Sequence, residues 1–312
     1  MTFHNPCAVR VANVILTTMP DCWAGSEDEE SFVKLKHCLP VLAVTAAATV
    51  GVAPANAAGE QYVALGDSYA AGVGIPTIID QGCDRSDHNY AHLVAGQRGY
   101  TLTDVTCGGA KTSDVSANQL SSITATTAVV TLGIGGNDIG FSDIVRSCVV
   151  IPGSNGAGCR NRYTDMADRL AKTSANVGAL VDAIRSRAPK ARVLLVGYPK
   201  IVPDNESSCA ATQPFDPADL AWARDTVVAG LNSMLKSHTG DRVGYVDTQA
   251  ATTGHDICQD PALRWINGVR VEPGSDGRTV HPNHFGQEAM SIQVLGALGN
   301  GGGGIPTGSF GS

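Results

Sequence analysis

Three short segments far apart in the chain carry the side chains that acyl transfer from an ester requires. They are Gly66-Asp67-Ser68, Gly135-Gly136-Asn137-Asp138 and His281-Pro282-Asn283. In that order they can supply a hydroxyl nucleophile, an amide that donates to a developing oxyanion, and an imidazole that acts as general base. The combination predicts a serine hydrolase.

Each segment also has a simpler structural explanation when it is taken alone. Ser68 could serve only as a helix cap, and Asn137 or Asp138 could begin the next helix. The nucleophile elbow of α/β-hydrolases needs Gly two residues after the serine, and Ala70 stands there, so that motif is not met. Residues 133–138 lack the last Gly of a dinucleotide-binding fingerprint.

A metal site is the alternative for the last segment. It would use His281 and His284, with His255 and Asp256 as further ligands. Pro282 places the two neighbouring histidines in a loop, and no other ligands stand at useful spacing. We therefore predict neither a metal nor a cofactor.

The elements that position these residues follow from apolar runs alternating with helical stretches. Strands are expected at 62–65, 102–106, 128–132, 192–196 and 243–246, and helices at about 90–97, 139–146, 162–187, 217–237 and 284–298. Continuous apolar strands that alternate with helices indicate a parallel sheet covered on both faces. The prediction is α/β, a three-layer α/β/α sandwich with a five-stranded parallel sheet. Ligands bind beyond the carboxyl ends of such strands, where Ser68 and Asn137 fall.

The start of the chain carries a targeting signal. Lys34 and Lys36 precede an apolar run over 39–52, and Ala55-Asn56-Ala57 has the small-x-small pattern of a cleavage site. We predict a secretory signal peptide at 34–57, cut after Ala57, and hence a secreted, extracellular protein.

The remaining boundaries follow from composition. Residues 1–33 are acidic and precede the signal, so they are predicted to be an extension from a start codon assigned too early. Residues 58–298 show no linker and form one predicted hydrolase domain, and the Gly-rich residues 299–312 form a predicted flexible tail.

Charge restricts the partners. The formal net charge is −7, which disfavours nonspecific binding to nucleic acid, because that binding needs a basic surface. The expected partner is an ester or lipid substrate, with no nucleic acid and no stable membrane anchor, and the protein is expected to be a monomer.

Six of the nine cysteines follow the predicted cleavage site. An even number in a secreted chain indicates disulfides. Several pairings are possible, and order along the chain favours Cys83–Cys107, Cys148–Cys159 and Cys209–Cys258. Zinc is the alternative, but it would favour a close Cys-x-x-Cys pair, which is absent from the sequence.

Taken together, the motifs resemble those of the SGNH hydrolases, also called GDSL lipases and esterases, and specifically the secreted, disulfide-containing bacterial lipase group. Leu65-Gly66-Asp67-Ser68-Tyr69 resembles the first block, with Tyr69 where Leu is usual. Cys107-Gly108-Gly109 resembles the second block, Gly135-Gly136-Asn137-Asp138 matches the third, and Val280-His281-Pro282-Asn283 resembles the last. The resemblance covers nearly all of residues 61–298.

The resemblance implies a flavodoxin-like sandwich with five parallel strands. It also implies that Ser68 is the nucleophile and His281 the base, with the oxyanion bound by the Ser68 N–H, the Gly109 N–H and the Asn137 side chain. The three sequential disulfides of that group agree with the favoured pairing.

One position departs from the family pattern. The family places Asp three residues before the catalytic His, and here that residue is Arg278. A cation cannot accept the Nδ1 proton, so we predict that the main-chain carbonyl of Arg278 orients His281, with Asp276 as the alternative.

Several functions share such a site. Besides a lipase or esterase, the fold would suit a phospholipase, a polysaccharide deacetylase or an acyltransferase. A secreted binding protein that keeps the fold without turnover is the alternative from another class.

Overall fold

The structure is a computed structural model that describes residues 59–150 and 158–299. The predicted N-terminal extension and the predicted signal peptide lie outside the described residues. The same is true of the tail from residue 300 onward.

Seven strands occur in the described residues. They are β1 (Gln61–Gly66), β2 (Ile78–Asp80), β3 (Arg85–Ser86), β4 (Thr101–Asp104), β5 (Thr127–Gly133), β6 (Arg192–Val196) and β7 (Val243–Val246). Five of them form one sheet in the order β4-β1-β5-β6-β7, and every neighbouring pair is parallel. The short strands β2 and β3 form a separate antiparallel hairpin. The predicted parallel sheet is therefore confirmed.

The strand order creates a crevice at the carboxyl end of the sheet. The chain runs from β1 outward to β4 and then returns to β5 on the other side of β1. This reversal is the topological switch point at which α/β sheets of the flavodoxin type bind ligands. Ser68 follows β1 and Asn137 follows β5, so the two residues flank this switch point.

The α-helices in the described residues are α1 (Ser68–Ala71), α2 (Tyr90–Arg98), α3 (Thr112–Asp114), α4 (Phe141–Cys148), α5 (Met166–Arg187), α6 (Glu206–Thr212), α7 (Pro217–Trp222), α8 (Ala229–Ser237) and α9 (His284–Leu298). A π-helical segment, Ala223–Val228, joins α7 and α8 into one helical run. Pro217 stands at the first turn of α7, and the Asp216 side chain accepts hydrogen bonds from the first backbone N–H groups, as its type predicts.

The helices cover both faces of the sheet. Side chains of β1 alternate between the faces, because successive residues of a strand point in opposite directions. Tyr62 and Ala64 belong to the core beneath α2 and α9, whereas Val63 and Leu65 belong to the larger core beneath α5 and α8. The central strand is thus enclosed on both sides, as its continuous apolar sequence predicts.

Three disulfides connect the loops around the sheet. They are Cys83–Cys107, Cys148–Cys159 and Cys209–Cys258, the same pairs that the order of the cysteines favours. The first one ties the β2–β3 hairpin to the loop after β4, where the Gly108 N–H also donates to the Cys83 carbonyl at 2.8 Å. Each bridge is expected to contribute roughly 2–4 kcal/mol to stability.

The opposite edge of the sheet, where the strands begin, lies far from the crevice. Glu60, Lys190 and Leu298 line a shallow depression there. Arg192 Nη1 donates to the Leu298 carbonyl at 2.9 Å. The start of β1 and the end of α9 therefore lie at this same edge. Within residues 59–150 and 158–299, no helix is long and apolar enough to cross a membrane.

Candidate active site

Ser68 is the first residue of α1, and Asp67 caps that helix directly after β1. Gly66 makes this abrupt change of direction possible. Its φ is +146°, and a Cβ at this position would lie 2.4 Å from the Gly133 carbonyl oxygen. The Ser68 N–H stands at the first helical position, where no intrahelical carbonyl can accept it. The turn thus presents a hydroxyl and an N–H together at the end of β1.

The imidazole of His281 contacts this hydroxyl. Its Nε2 lies 2.8 Å from Ser68 Oγ, and its Nδ1 lies 2.8 Å from the Thr279 carbonyl oxygen. Because a carbonyl only accepts hydrogen bonds, Nδ1 carries the ring proton and Nε2 keeps its lone pair. This tautomer can accept the Ser68 proton.

The prediction that the Arg278 carbonyl orients His281 is wrong, since Thr279 provides that carbonyl. The Arg278 carbonyl instead accepts the His281 N–H at 3.1 Å, as the first residue of a tight turn. Val280, the third residue of the turn, has a φ of +57°, as in a type II turn. In that turn type the central peptide is flipped, which directs the Thr279 carbonyl toward the ring. The sequence holds no signal for this choice, because both groups belong to the main chain.

Asp276, the alternative orienting residue, is bonded to a different histidine. Its Oδ2 lies 2.9 Å from His284 Nδ1, and its Oδ1 accepts the His284 N–H at 3.1 Å. Among the described residues, no carboxylate contacts the Nδ1 of His281. The arrangement is a serine–histidine pair whose imidazole is oriented by a main-chain carbonyl.

The surroundings of His281 lower the pKa of its imidazole. Burial lowers the pKa of His281 below its ordinary value, the Thr279 hydrogen bond raises it, and the nearby Arg278 cation lowers it again. Asp84 has a raising effect on that pKa, and it forms an ion pair with Arg278 at 2.8 Å. A general base has to be unprotonated at working pH, and the net lowering favours this form.

The candidate oxyanion donors lie just beyond the carboxyl ends of three adjacent strands. Gly109 follows β4, Ser68 follows β1, and Asn137 follows β5. Gly109 has a φ of +80°, and among the described residues its N–H has no main-chain acceptor. One N–H of the Asn137 amide donates to the Ala110 carbonyl at 3.0 Å. This bond ties the loop after β5 to the loop after β4.

Asp67 is buried and holds a hydrogen-bond network beneath the site. Its Oδ2 accepts the Tyr198 hydroxyl at 2.6 Å, and its Oδ1 accepts the Tyr69 N–H at 2.9 Å. Tyr198 in turn accepts the Gly136 N–H at 2.8 Å. Burial raises the pKa of Asp67 to about 7, although the hydrogen bonds from Tyr198 and Tyr69 act to lower it.

Sequence reasoning assigned no role to Asp67 and overlooked Tyr198. The Gly66-Asp67-Ser68 triplet could have drawn attention to Asp67, because that residue directly precedes the candidate nucleophile. Tyr198 lies just after β6 and is far from Asp67 along the chain. Only the order of the strands in the sheet brings it to the site.

The residues of the alternative metal site have other partners. In the part of the chain that the structure describes, no group of three or more His, Cys, Asp or Glu could hold a metal ion. His255 stacks on Trp265 with ring centroids 3.5 Å apart, and its Nδ1 lies 2.7 Å from the Leu263 carbonyl oxygen.

Comparison with known proteins identifies the family. The sequence model of the GDSL-like lipase/acylhydrolase family matches residues 64–289, a range that holds every segment of the site. The chain belongs to the GDSL-like lipase/acylhydrolase family. The resemblance predicted from the four motifs is confirmed, and this GDSL-family chain is a carboxylic ester hydrolase.

Its relatives match over most of their length. Lipase 2 of Streptomyces coelicolor is 37% identical over 271 residues, which cover 81% of this chain and 90% of that protein. A lipase of Streptomyces rimosus is 32% identical over 260 residues, which cover 82% of this chain and 92% of that protein.

Two solved structures share the fold of this GDSL-family chain. Phospholipase A1 from Streptomyces albidoflavus NA297 is 30% identical with a TM-score of 0.63, covering 77% of this chain and 99% of that one. The extracellular lipase from Streptomyces rimosus is 30% identical with a TM-score of 0.64 and has the same coverage.

Proposed function

We propose that the protein is a secreted lipase or esterase that hydrolyses acyl lipids, with Ser68 as nucleophile and His281 as general base. The contact between Ser68 Oγ and His281 Nε2 at 2.8 Å carries this proposal. Secretion is supported by the three disulfides and by the extracellular lipase among the related structures.

The reaction proceeds by two acyl transfers. His281 Nε2 accepts the hydroxyl proton as Ser68 Oγ attacks the ester carbonyl. The imidazolium then protonates the leaving alkoxide, and the acyl group remains on Ser68. Water, deprotonated by His281, attacks this acyl-enzyme and releases the acid.

The developing oxyanion needs donors that are fixed before the reaction. The Asn137 amide has two N–H groups, and its bond to the Ala110 carbonyl fixes the amide plane with one of them. We assign the second N–H to the oxyanion, together with the main-chain N–H groups of Ser68 and Gly109. The helical turn at Ser68 and the left-handed turn at Gly109 leave both of these groups available.

An apolar pocket beside the site suits the acyl chain. Its walls include Phe141, Ile144, Val202, Phe215, Leu220 and Val280. Val280 directly precedes His281, and the Phe141 ring packs against Tyr69, the neighbour of Ser68, with centroids 6.4 Å apart. Each methylene moved from water into such a pocket contributes about 0.8 kcal/mol. These apolar walls favour binding of an alkyl chain over binding of a sugar.

Chain-length profiling tests the acyl assignment. We expect Ile144→Phe to shorten the preferred acyl chain in a series of p-nitrophenyl esters, because the larger ring fills the pocket. Ile292→Phe is the matched control, since Ile292 is exposed on α9 and should leave the profile unchanged. If Ile144→Phe and Ile292→Phe had the same chain-length profile, the acyl chain would have to bind outside this pocket. Phospholipid and acetylated polysaccharide assayed in parallel distinguish the phospholipase and deacetylase alternatives.

A covalent serine probe tests the nucleophile. A fluorophosphonate should label Ser68 in the folded protein, as located by mass spectrometry of peptides, and Ser68→Ala should abolish turnover of p-nitrophenyl butyrate. The chain contains a matched control, because Ser174 Oγ also lies 3.0 Å from a histidine nitrogen, that of His238. Ser174→Ala should leave labelling and turnover unchanged. A folded wild-type protein that the probe does not label would favour a binding protein without turnover.

A further inference from the structure

The backbone beside the proposed base adopts an unfavourable conformation. Val280 lies between Thr279, whose carbonyl orients the imidazole, and His281 itself. Its φ of +57° lies in the left-handed region, where a β-branched side chain is a genuine outlier. Such a conformation persists only when its surroundings fix it. The orientation of His281 therefore depends on whatever holds Val280.

Contacts on two sides hold this turn. On one side the Val280 N–H donates to the Asn267 carbonyl at 3.1 Å, and the Asn267 N–H donates to the His281 carbonyl at 3.0 Å. On the other side the Tyr69 hydroxyl donates a hydrogen bond to the Val280 carbonyl. Within the described residues, that carbonyl accepts no other hydrogen bond.

Tyr69 is itself fixed in place. Its N–H donates to Asp67 Oδ1 at 2.9 Å, and its carbonyl accepts from Gln287 Nε2 at 2.9 Å. Its buried ring lies 5.0 Å from the Tyr198 ring and 4.6 Å from the His281 ring, measured between centroids. The hydroxyl therefore has little freedom to move away from Val280.

We infer that Tyr69 is a positioning residue for His281: its hydroxyl holds the left-handed Val280 turn that aims the Thr279 carbonyl at Nδ1. The inference rests on the proposed role of His281 as base. It accounts for two departures from the family pattern together. Arg278 stands where a carboxylate would fix the imidazole, and Tyr69 stands where Leu is usual. A leucine has no hydroxyl to donate to the Val280 carbonyl.

The test is Tyr69→Phe, which removes only the hydroxyl. The matched control is Tyr62→Phe, because Tyr62 is equally buried, its hydroxyl bonds Thr131 Oγ1 at 2.8 Å, and it belongs to the core on the other face of β1. Both variants should lose similar amounts of Tm. Only Tyr69→Phe should lower kcat, by roughly tenfold, as the loss of one buried hydrogen bond predicts, with KM within about twofold.

Nuclear magnetic resonance of protein labelled with ¹⁵N-histidine gives a second readout. The Nδ1–H signal of His281 should move toward that of a weaker hydrogen bond in Tyr69→Phe and should stay in place in Tyr62→Phe. If the Tyr69 hydroxyl had a purely structural role, Tyr69→Phe and Tyr62→Phe would show the same Nδ1–H signal and the same kcat. That result would overturn the inference.

A glycine at position 280 provides an independent check that holds even if Tyr69→Phe is poorly folded. Gly adopts positive φ without a Cβ clash, so the turn should need Tyr69 less. Tyr69→Phe should therefore reduce kcat less in the Val280→Gly background than in the wild type, and an equal reduction in both would contradict the inference. Failure of the fluorophosphonate to label the wild-type protein would instead contradict the proposed function. Failure of the inference about Tyr69 and failure of the proposed function therefore give different results.

Discussion

The buried carboxyl of Asp67 should make the stability of the protein depend on pH in an unusual direction. It is only 1% exposed, and burial raises its pKa from 3.8 to about 7. An unfolded chain releases this proton near pH 4, whereas the folded chain keeps it until about pH 7. Between these values the folded state binds more protons, so stability falls as pH rises.

The size of the effect follows from the two pKa values. A tenfold difference in proton affinity corresponds to about 1.4 kcal/mol, so a difference of about three powers of ten corresponds to about 4 kcal/mol. Asp67→Asn removes the titration and keeps the shape. The free energy of unfolding of the wild type, relative to that of the variant, should therefore fall by about 4 kcal/mol between pH 4 and pH 8.

Urea unfolding of both proteins under non-reducing conditions at several pH values measures this difference. Asp219→Asn is a control of opposite sign. Burial acts to raise the pKa of Asp219, but hydrogen bonds from Arg160 and from the Cys159 N–H lower it overall. The stability that Asp219 adds should be present at neutral pH and lost toward acid. A relative stability of Asp67→Asn that is constant with pH, or that changes like that of Asp219→Asn, would refute the reasoning.

Four further predictions concern activity. Asn137→Ala should lower kcat by roughly 10²–10³, and a near-normal kcat would contradict the proposed role of Asn137 as oxyanion donor. Asp276→Asn should keep most activity, since that carboxylate bonds His284; a loss of roughly 10³-fold or more would indicate a true triad. The acid limb of the kcat/KM profile against pH should lie below pH 6.5, because burial lowers the pKa of His281 and only its neutral form can accept a proton. An acid limb above pH 6.5 would argue against the proposed role of His281 as general base. Replacing Cys83 and Cys107 with Ser should lower kcat as well as Tm, because the bridge anchors the loop of the second block; a change in Tm alone would separate that loop from catalysis.

The sheet could be predicted because its strands are continuous apolar runs. The predicted bounds of 192–196 and 243–246 coincide with β6 and β7, and the predicted helix over 284–298 coincides with α9. The predicted helix from 162 begins instead at Met166, because Cys159–Arg162 forms a 3₁₀ turn beside the Cys148–Cys159 disulfide. The hairpin of β2 and β3 was not predicted, since strands of two or three residues leave no periodicity to detect.

The candidate side chains of the site could be proposed from the sequence, but their fine orientation could not. Residue type selects a serine, a histidine and an asparagine. Strand order places Ser68 and Asn137 at the ends of neighbouring strands, and the loop before α9 brings His281 to Ser68. The choice between the Arg278 and Thr279 carbonyls depends on one backbone dihedral at Val280, and the link through Tyr198 depends on which strands are neighbours. Both are tertiary properties that no local pattern encodes.

The shared position of the two ends of the described domain has a practical consequence. Because Glu60 and Leu298 lie together at the amino edge of the sheet, a tether joined beside either one leaves on the side away from Ser68. Attachment of the enzyme to a resin or a fusion partner through these ends should therefore keep the mouth of the crevice open to bulky substrates, whereas coupling through Arg278 would obstruct it.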